Sequence, residues 1–194
     1  MKPFIVVQGP VATRSGYGNH TRDLVTSLIN ADKYEIVIIS LPWGNTAMNA
    51  LKSDNKEHVA IAERITNQNV TRKPDIFIQV SVANEFQPLG KYNIGVTAGV
   101  ETNAVPHEFV QGGNRMDLVI ATSEHSKKGF EVVYDKFDKN KVKQGEVKFE
   151  KDIEVLFEGL DLNKYYKKPA KSNILKDIPE DFCFLFTGHW LPGN

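Results

Sequence analysis

The sequence predicts an α/β fold built on a parallel sheet covered on both faces. Three observations carry this. Short β-branched and aromatic runs recur between helix-like stretches, most of those runs are apolar on both alternating faces, and the first opens directly into a glycine-rich loop, GPVATRSGYGNHTR at residues 9–22.

Strands are expected at residues 4–8, 35–41, 75–80, 92–97, 117–122 and 153–157. Helices are expected at 19–31, within 46–65 and at 123–137, the last with Ser123 as its N-cap. Residues 138–152 are charged and lack periodicity, so they read as an exposed connection. The polar, lysine-rich and proline-punctuated residues 167–181 read as a linker. After it, FCFLFTG at 182–188 reads as a new strand ending in a glycine turn, six residues before the final Asn194. A strand without a following helix suggests the beginning of a second domain. The expected organisation is therefore a domain at 1–166, a linker at 167–181 and the first strand of a truncated second domain at 182–194.

Bulk composition narrows the function classes. Lys+Arg and Asp+Glu are both 24, so net charge exerts no general pull toward nucleic acid or an anionic membrane. Peripheral membrane contact through a local patch stays open. Cys183 is the single cysteine and forms no internal disulfide; its aromatic neighbours Phe182 and Phe184 mark it as a small apolar residue of a buried strand. A reducing cytoplasm fits such usage. The apolar runs fall short of the roughly 20 residues that span a bilayer, and Met1-Lys2-Pro3 leads into a strand rather than a signal peptide.

The loop at 9–22 is the densest local signal. A glycine turn between the first strand and first helix of a parallel sheet brings backbone N–H groups and a helix N-terminus toward a ligand, favouring anions. Gly16 and Gly18 remove Cβ atoms from that approach, Ser15 and Asn19 offer hydrogen bonds, and Arg14, His20 and Arg22 add cationic or switchable groups. The dinucleotide fingerprint fails because Thr21 stands where its third glycine belongs, and no Walker A pattern occurs. A tight turn with close helix packing accounts for the glycines equally well.

Five segments in order resemble one family. They are the loop with SGYGNHTR at 15–22 and its apolar helix, GVETNAVP at 99–106, MDLVIATSEHSKKGF at 116–130, IEVLFEGLD at 153–161 and FLFTG at 184–188. Together they resemble the N-terminal half of GT-B glycosyltransferases of the large retaining family 4. The chain departs from the family pattern at Glu158, where asparagine is usual, and carries Tyr165 and Tyr166 near a usual phenylalanine.

The resemblance implies a Rossmann-like domain that binds the acceptor across a cleft from a second domain holding a nucleotide-sugar donor. It implies no cofactor and no metal, the donor being a substrate. The family's Arg, Lys and Glu-x7-Glu positions, which grip the diphosphate and donor, belong to that second domain and fall outside residues 1–194. A fragment ending at 194 is therefore expected to be inactive alone. Gly16, Tyr17, Gly18 and Arg14 would face donor phosphates. His20 and Glu101 would be the catalytic candidates, Glu101 because it follows Gly99 at a strand's carboxyl end. Asn19, Arg22, Trp43, Asn103, His107, Ser123 and Glu124 would line the acceptor side, Trp43 as an aromatic face for a sugar ring. For His20 a capping or surface role, for Arg22 a solvated role and for Trp43 core packing compete with these readings. The acceptor would be a glycan, a lipid or a small molecule, with no nucleic acid involved.

Other constellations fail. The histidines at 20, 58, 107, 125 and 189 show no metal-ligand spacing, and no G-x-S-x-G elbow occurs. Two alternatives to transfer remain: a sugar-nucleotide 2-epimerase of the same architecture, and a non-catalytic glycan-binding or assembly module.

Overall fold

The computed structural model describes residues 2–163, 165–166 and 178–184. The chain divides into two compact units, Met1–Glu158 and Gly159–Asn194.

In the first unit, strands β1 (Phe4–Gly9), β2 (Glu35–Ser40), β3 (Ile76–Val80), β4 (Tyr92–Thr97), β5 (Leu118–Ala121) and β8 (Asp152–Val155) form one sheet in the order β2-β1-β3-β4-β5-β8. Every pairing in it is parallel, from Phe4 beside Glu35 to Ala121 beside Val155. The helices are α1 (Gly16–Ala31), α2 (Lys56–Ala62), α3 (His107–Gly113) and α4 (Glu124–Gly129), with a 3-10 turn at Ala83–Glu85. The fold is Rossmann-like.

Alternation along the strands sorts side chains onto two faces. Ile5 and Val7 of β1 join Val25 of α1 and Ile61 of α2 in one core cluster. Phe4 and Val6 point the other way, packing with Phe77, Val37 and Val70. Farther along that second face, Val119 of β5 packs with Val110 of α3, Phe86, Met116 and Phe130. Helices thus cover both faces, as the apolar runs require. A shallow cavity of about 290 Å³ lies among Val6, Ile39, Val70, Phe77 and Leu89.

Buried polar residues fasten the turns rather than the core. The Gln79 side chain donates to the Glu85 carbonyl at 3.0 Å and accepts from the Gln87 N–H at 2.8 Å, which fixes the exit from β3. Asn93 accepts from the Gly90 N–H at 2.7 Å and donates to Asp117 at 3.0 Å, tying the starts of β4 and β5.

The structure corrects several expectations. The helix expected at 123–137 ends at Gly129, and residues 134–137 are instead strand β6 (Tyr134–Phe137). The expected connection at 138–152 contains strand β7 (Lys143–Val147), antiparallel to β6. Tyr134 explains the switch: its ring packs against the second core cluster and its hydroxyl donates to the Val105 carbonyl at 2.7 Å, an anchor that a continuing helix would carry away. The first helix begins three residues earlier than expected, capped by Ser15, and only Lys56–Ala62 of the 46–65 window is helical. Helix α3 was not expected at all.

In the second unit, Asp161 forms an Asx turn, its Oδ1 accepting from the Asn163 N–H at 3.0 Å. Cys183 is exposed, as are Phe182 and Phe184, and these residues form no strand, contrary to the buried-strand reading. Residues 185–188 of that expected strand, and 167–177 of the expected linker, lie outside the described residues.

Candidate functional site

The connection from β1 to β2 and that from β2 to β3 run in opposite directions across the sheet, so the winding reverses beside β1. At such a reversal the loops leaving the carboxyl ends of adjacent strands part and open a crevice. The loop from Pro10 to Ser15 stands there, and α1 starts from it.

The loop holds itself by a chain of hydrogen bonds. The Gly18 N–H donates to Ser15 Oγ at 2.9 Å, Thr13 Oγ1 donates to the Pro10 carbonyl at 2.8 Å, and the two hydroxyls lie 2.8 Å apart. Each hydroxyl has one proton. Thr13 spends its proton on Pro10, so Ser15 must donate to Thr13. Neither hydroxyl keeps a proton for a ligand, and the donor role expected of Ser15 is taken up inside the loop.

The two glycines of the helix start serve different ends. A Cβ on Gly18 would lie 2.4 Å from the Thr13 carbonyl oxygen and 2.9 Å from that of Pro10, so this glycine lets the helix close on its own loop. A Cβ on Gly16 would meet nothing within 4 Å. The first four N–H groups of a helix have no partner within it. Ser15 satisfies one of them, its Oγ accepting the Gly18 N–H, while its carbonyl accepts the Asn19 N–H as the first bond of the helix. The N–H groups of Gly16 and Tyr17 are left at the open end. No acidic residue occupies the first turn, so the positive end of this 16-residue helix is uncompensated.

Arg22 braces the loop from the helix side. Its guanidinium donates to the Val11 carbonyl at 2.7 Å, to the Thr13 carbonyl at 2.9 Å and to Asn19 Oδ1. Burial holds it below the ordinary arginine range, an effect that Asp23 partly offsets. The solvated role is thus replaced by a structural one. Arg14 differs: it is exposed and its side chain makes no hydrogen bond or ion pair among the described residues.

Tyr17 crosses the crevice. Its ring stacks on Trp43, which follows β2, with centroids 4.2 Å apart and planes 25° apart. Its hydroxyl accepts the Ala98 N–H at 3.1 Å and lies 3.2 Å from Thr97 Oγ1, at the end of β4. Since β3 lies between β1 and β4, this side chain spans the carboxyl end of the intervening strand. Trp43 therefore spends one aromatic face on Tyr17.

His20, one turn further along α1, places Nδ1 3.3 Å from Glu158 Oε1. The side chain is 13% exposed, and its Nε2 is buried without a hydrogen-bond partner among the described residues. Glu158 was not among the expected site residues, and only its departure from the family's usual asparagine marked it.

The loops after β4 and β5 meet through serines. Ser126 Oγ donates to the Ala98 carbonyl at 2.7 Å, Ser123 Oγ lies 3.0 Å from Ser126 Oγ, and Ser123 Oγ caps α4 by accepting the Ser126 N–H at 3.0 Å. Ser126's proton is committed to Ala98, so Ser123 donates to Ser126 and its hydroxyl is likewise consumed. Gly99 adopts φ 80°, and a Cβ placed on it would lie 2.7 Å from Ser126 Cβ. Glu101 and Asn103 are exposed on this loop and make no side-chain hydrogen bond among the described residues, and Glu124 is exposed in the first turn of α4. His107 stands at the start of α3, 3.3 Å from Glu108 and edge-on to Tyr134.

The arrangement brings together Tyr17, Trp43 and Thr97, and separately His20 and Glu158. No group of three or more metal-ligating side chains occurs among the described residues, and no described helix is long and apolar enough to cross a membrane. No protein-family model, curated protein or solved structure matches the chain.

Proposed function

We propose that this chain is the acceptor-side half of a glycosyltransferase that moves a sugar from a nucleotide-sugar donor with retention. One observation carries the reading: the start of α1 offers the Gly16 and Tyr17 N–H groups, an open approach at Gly16, an uncompensated helix end and the unpaired Arg14 at the sheet's reversal point. Breaking an anomeric C–O bond leaves negative charge on a diphosphate, and fixed dipoles aimed at that charge lower the barrier. His20, whose Nε2 is buried, orients Glu158 in this scheme rather than meeting the acceptor hydroxyl itself.

The cations that complete a diphosphate site belong to a second domain, so residues 1–194 alone turn over no donor. The test incubates the native product containing this chain with sugar-labelled UDP-glucose, UDP-N-acetylglucosamine and GDP-mannose in the presence of glycan and lipid acceptors. Label transferred with its anomeric configuration retained is the expected result. Failure to bind or consume any nucleotide-sugar sinks the proposal.

A further inference from the structure

The hairpin of β6 and β7 plays no part in the crevice. Its base is rooted: Tyr134 and Val147 pack on the second core cluster, and the Asn114 side chain clamps the chain beyond β7, donating to the Lys148 carbonyl and accepting the Glu150 N–H, both at 2.8 Å. Its tip touches nothing comparable. Phe137 and Val142 flank the turn and are each 56% exposed.

The turn itself is built to hold one shape. Asp138 Oδ1 accepts the N–H groups of Asn140 and Val142 at 2.8 and 2.9 Å, Oδ2 accepts the Gln144 amide at 3.1 Å, and Lys141 adopts φ 64° to close the loop. This matters for charge. Residues 136–143 carry four lysines against one aspartate, and that aspartate's oxygens are occupied by the turn's own donors. Lys143 is engaged by Asp135 at 2.6 Å and Glu146 at 3.0 Å, which raise its pKa, Asp135 most. Lys136, Lys139 and Lys141 are exposed and make no ion pair among the described residues.

A rigid tip presenting two apolar side chains among three free cations, on a chain of zero net charge, has the chemistry of one kind of surface. We propose that the tip of this hairpin docks on an anionic phospholipid bilayer, with Phe137 and Val142 entering the interface and Lys136, Lys139 and Lys141 meeting lipid phosphates. Basic groups beside an anionic leaflet each add attraction, and apolar side chains add a contribution that salt does not screen. A polyanion in water matches the lysines but gives Phe137 and Val142 nothing to enter. The inference is independent of the proposed transfer activity.

The experiment is co-sedimentation of the chain with vesicles of phosphatidylcholine alone and of phosphatidylcholine with 30–40% phosphatidylglycerol, on the order of one charged lipid in three. Binding to the anionic vesicles only is expected. Reversing Lys136, Lys139 and Lys141 to Glu should weaken it by at least about fivefold per residue. Phe137→Ser with Val142→Ser should weaken it at high salt, where the lysines are screened. Unchanged thermal unfolding of both variants, whose sites lie at the exposed tip, shows that the fold is intact. No partitioning, equal partitioning onto both vesicle types, or anionic binding that survives both variants overturns the proposal. So does binding to heparin or RNA that outcompetes the vesicles and ignores the Ser substitutions.

Discussion

Gly18 stands so close to Thr13 that a Cβ placed on it would lie 2.4 Å from the Thr13 carbonyl oxygen. The obstacle is backbone, held in turn by Arg22, and cannot swing aside. Gly18→Ala is expected to destabilise the fold by about 2 kcal/mol, the scale of an overpacked core, despite alanine's better helix propensity. Gly16→Ala meets open space and is expected to leave stability unchanged or raised by a few tenths to about 1 kcal/mol. Urea unfolding of the two variants checks the contrast, and equal losses at both sites would contradict it. If the transfer reading holds, Gly16→Ala weakens donor binding in a protein that folds normally.

Tyr17 ties α1 to the ends of β2 and β4, and its two attachments are separable. Tyr17→Phe keeps the stack on Trp43 but orphans the Ala98 N–H, which should cost about 1 kcal/mol. A double-mutant cycle of Tyr17→Ala with Trp43→Ala should show a coupling of about 1 kcal/mol. Simple additivity would mean that the stacked rings do not support one another.

Arg22 grips two carbonyls and an amide with one planar fork. Lysine offers a single ammonium that cannot reproduce the fork, so Arg22→Lys should destabilise the protein by about 1–2 kcal/mol. Amide hydrogen exchange at residues 11–18 should rise in that variant. Wild-type exchange there would show that the loop stands without its brace.

Asp75 accepts from Lys91 at 2.7 Å and from the Phe4 N–H at 2.9 Å, and these bonds, the lysine's first, lower its pKa. A carboxyl lowered in the folded state contributes stability that is full above the ordinary range near 4, about the unfolded value, and is lost as pH falls through the folded value. Stability of the wild type should therefore fall more steeply below about pH 4 than that of Asp75→Asn. Parallel acid-unfolding curves would show that the carboxylate contributes nothing.

The sheet was legible because buried parallel strands leave an unmistakable pattern: all six expected strands pair in it, most of them apolar on both faces, and even the edge strand β8 was found from Ile153 and Val155. The hairpin was not, because residues 134–147 alternate only weakly and their inward residues, Tyr134 and Val147, declare themselves through contacts to a distant cluster. At the crevice, loop glycines announced a close approach but not by what. Only coordinates separate Gly18, filled by its own loop, from Gly16, which faces open space. Likewise Ser15 and Ser123 looked like available hydroxyls until the proton count showed both engaged. His20 was visible as a residue type, whereas its neighbour Glu158 lies 138 positions away and no local rule joins them.

The place of β1 between β2 and β3 has a consequence for how the chain is made. The neighbours of β1 both come later in the chain, and the second of them, β3, ends at Val80. At about 5–20 residues per second, those intervening residues take about 4–15 s to synthesise. Through that interval Phe4, Val6 and Phe4's apolar neighbours have no completed sheet to enter. Strand β1 is thus a sticky segment of the growing chain until Val80 has emerged.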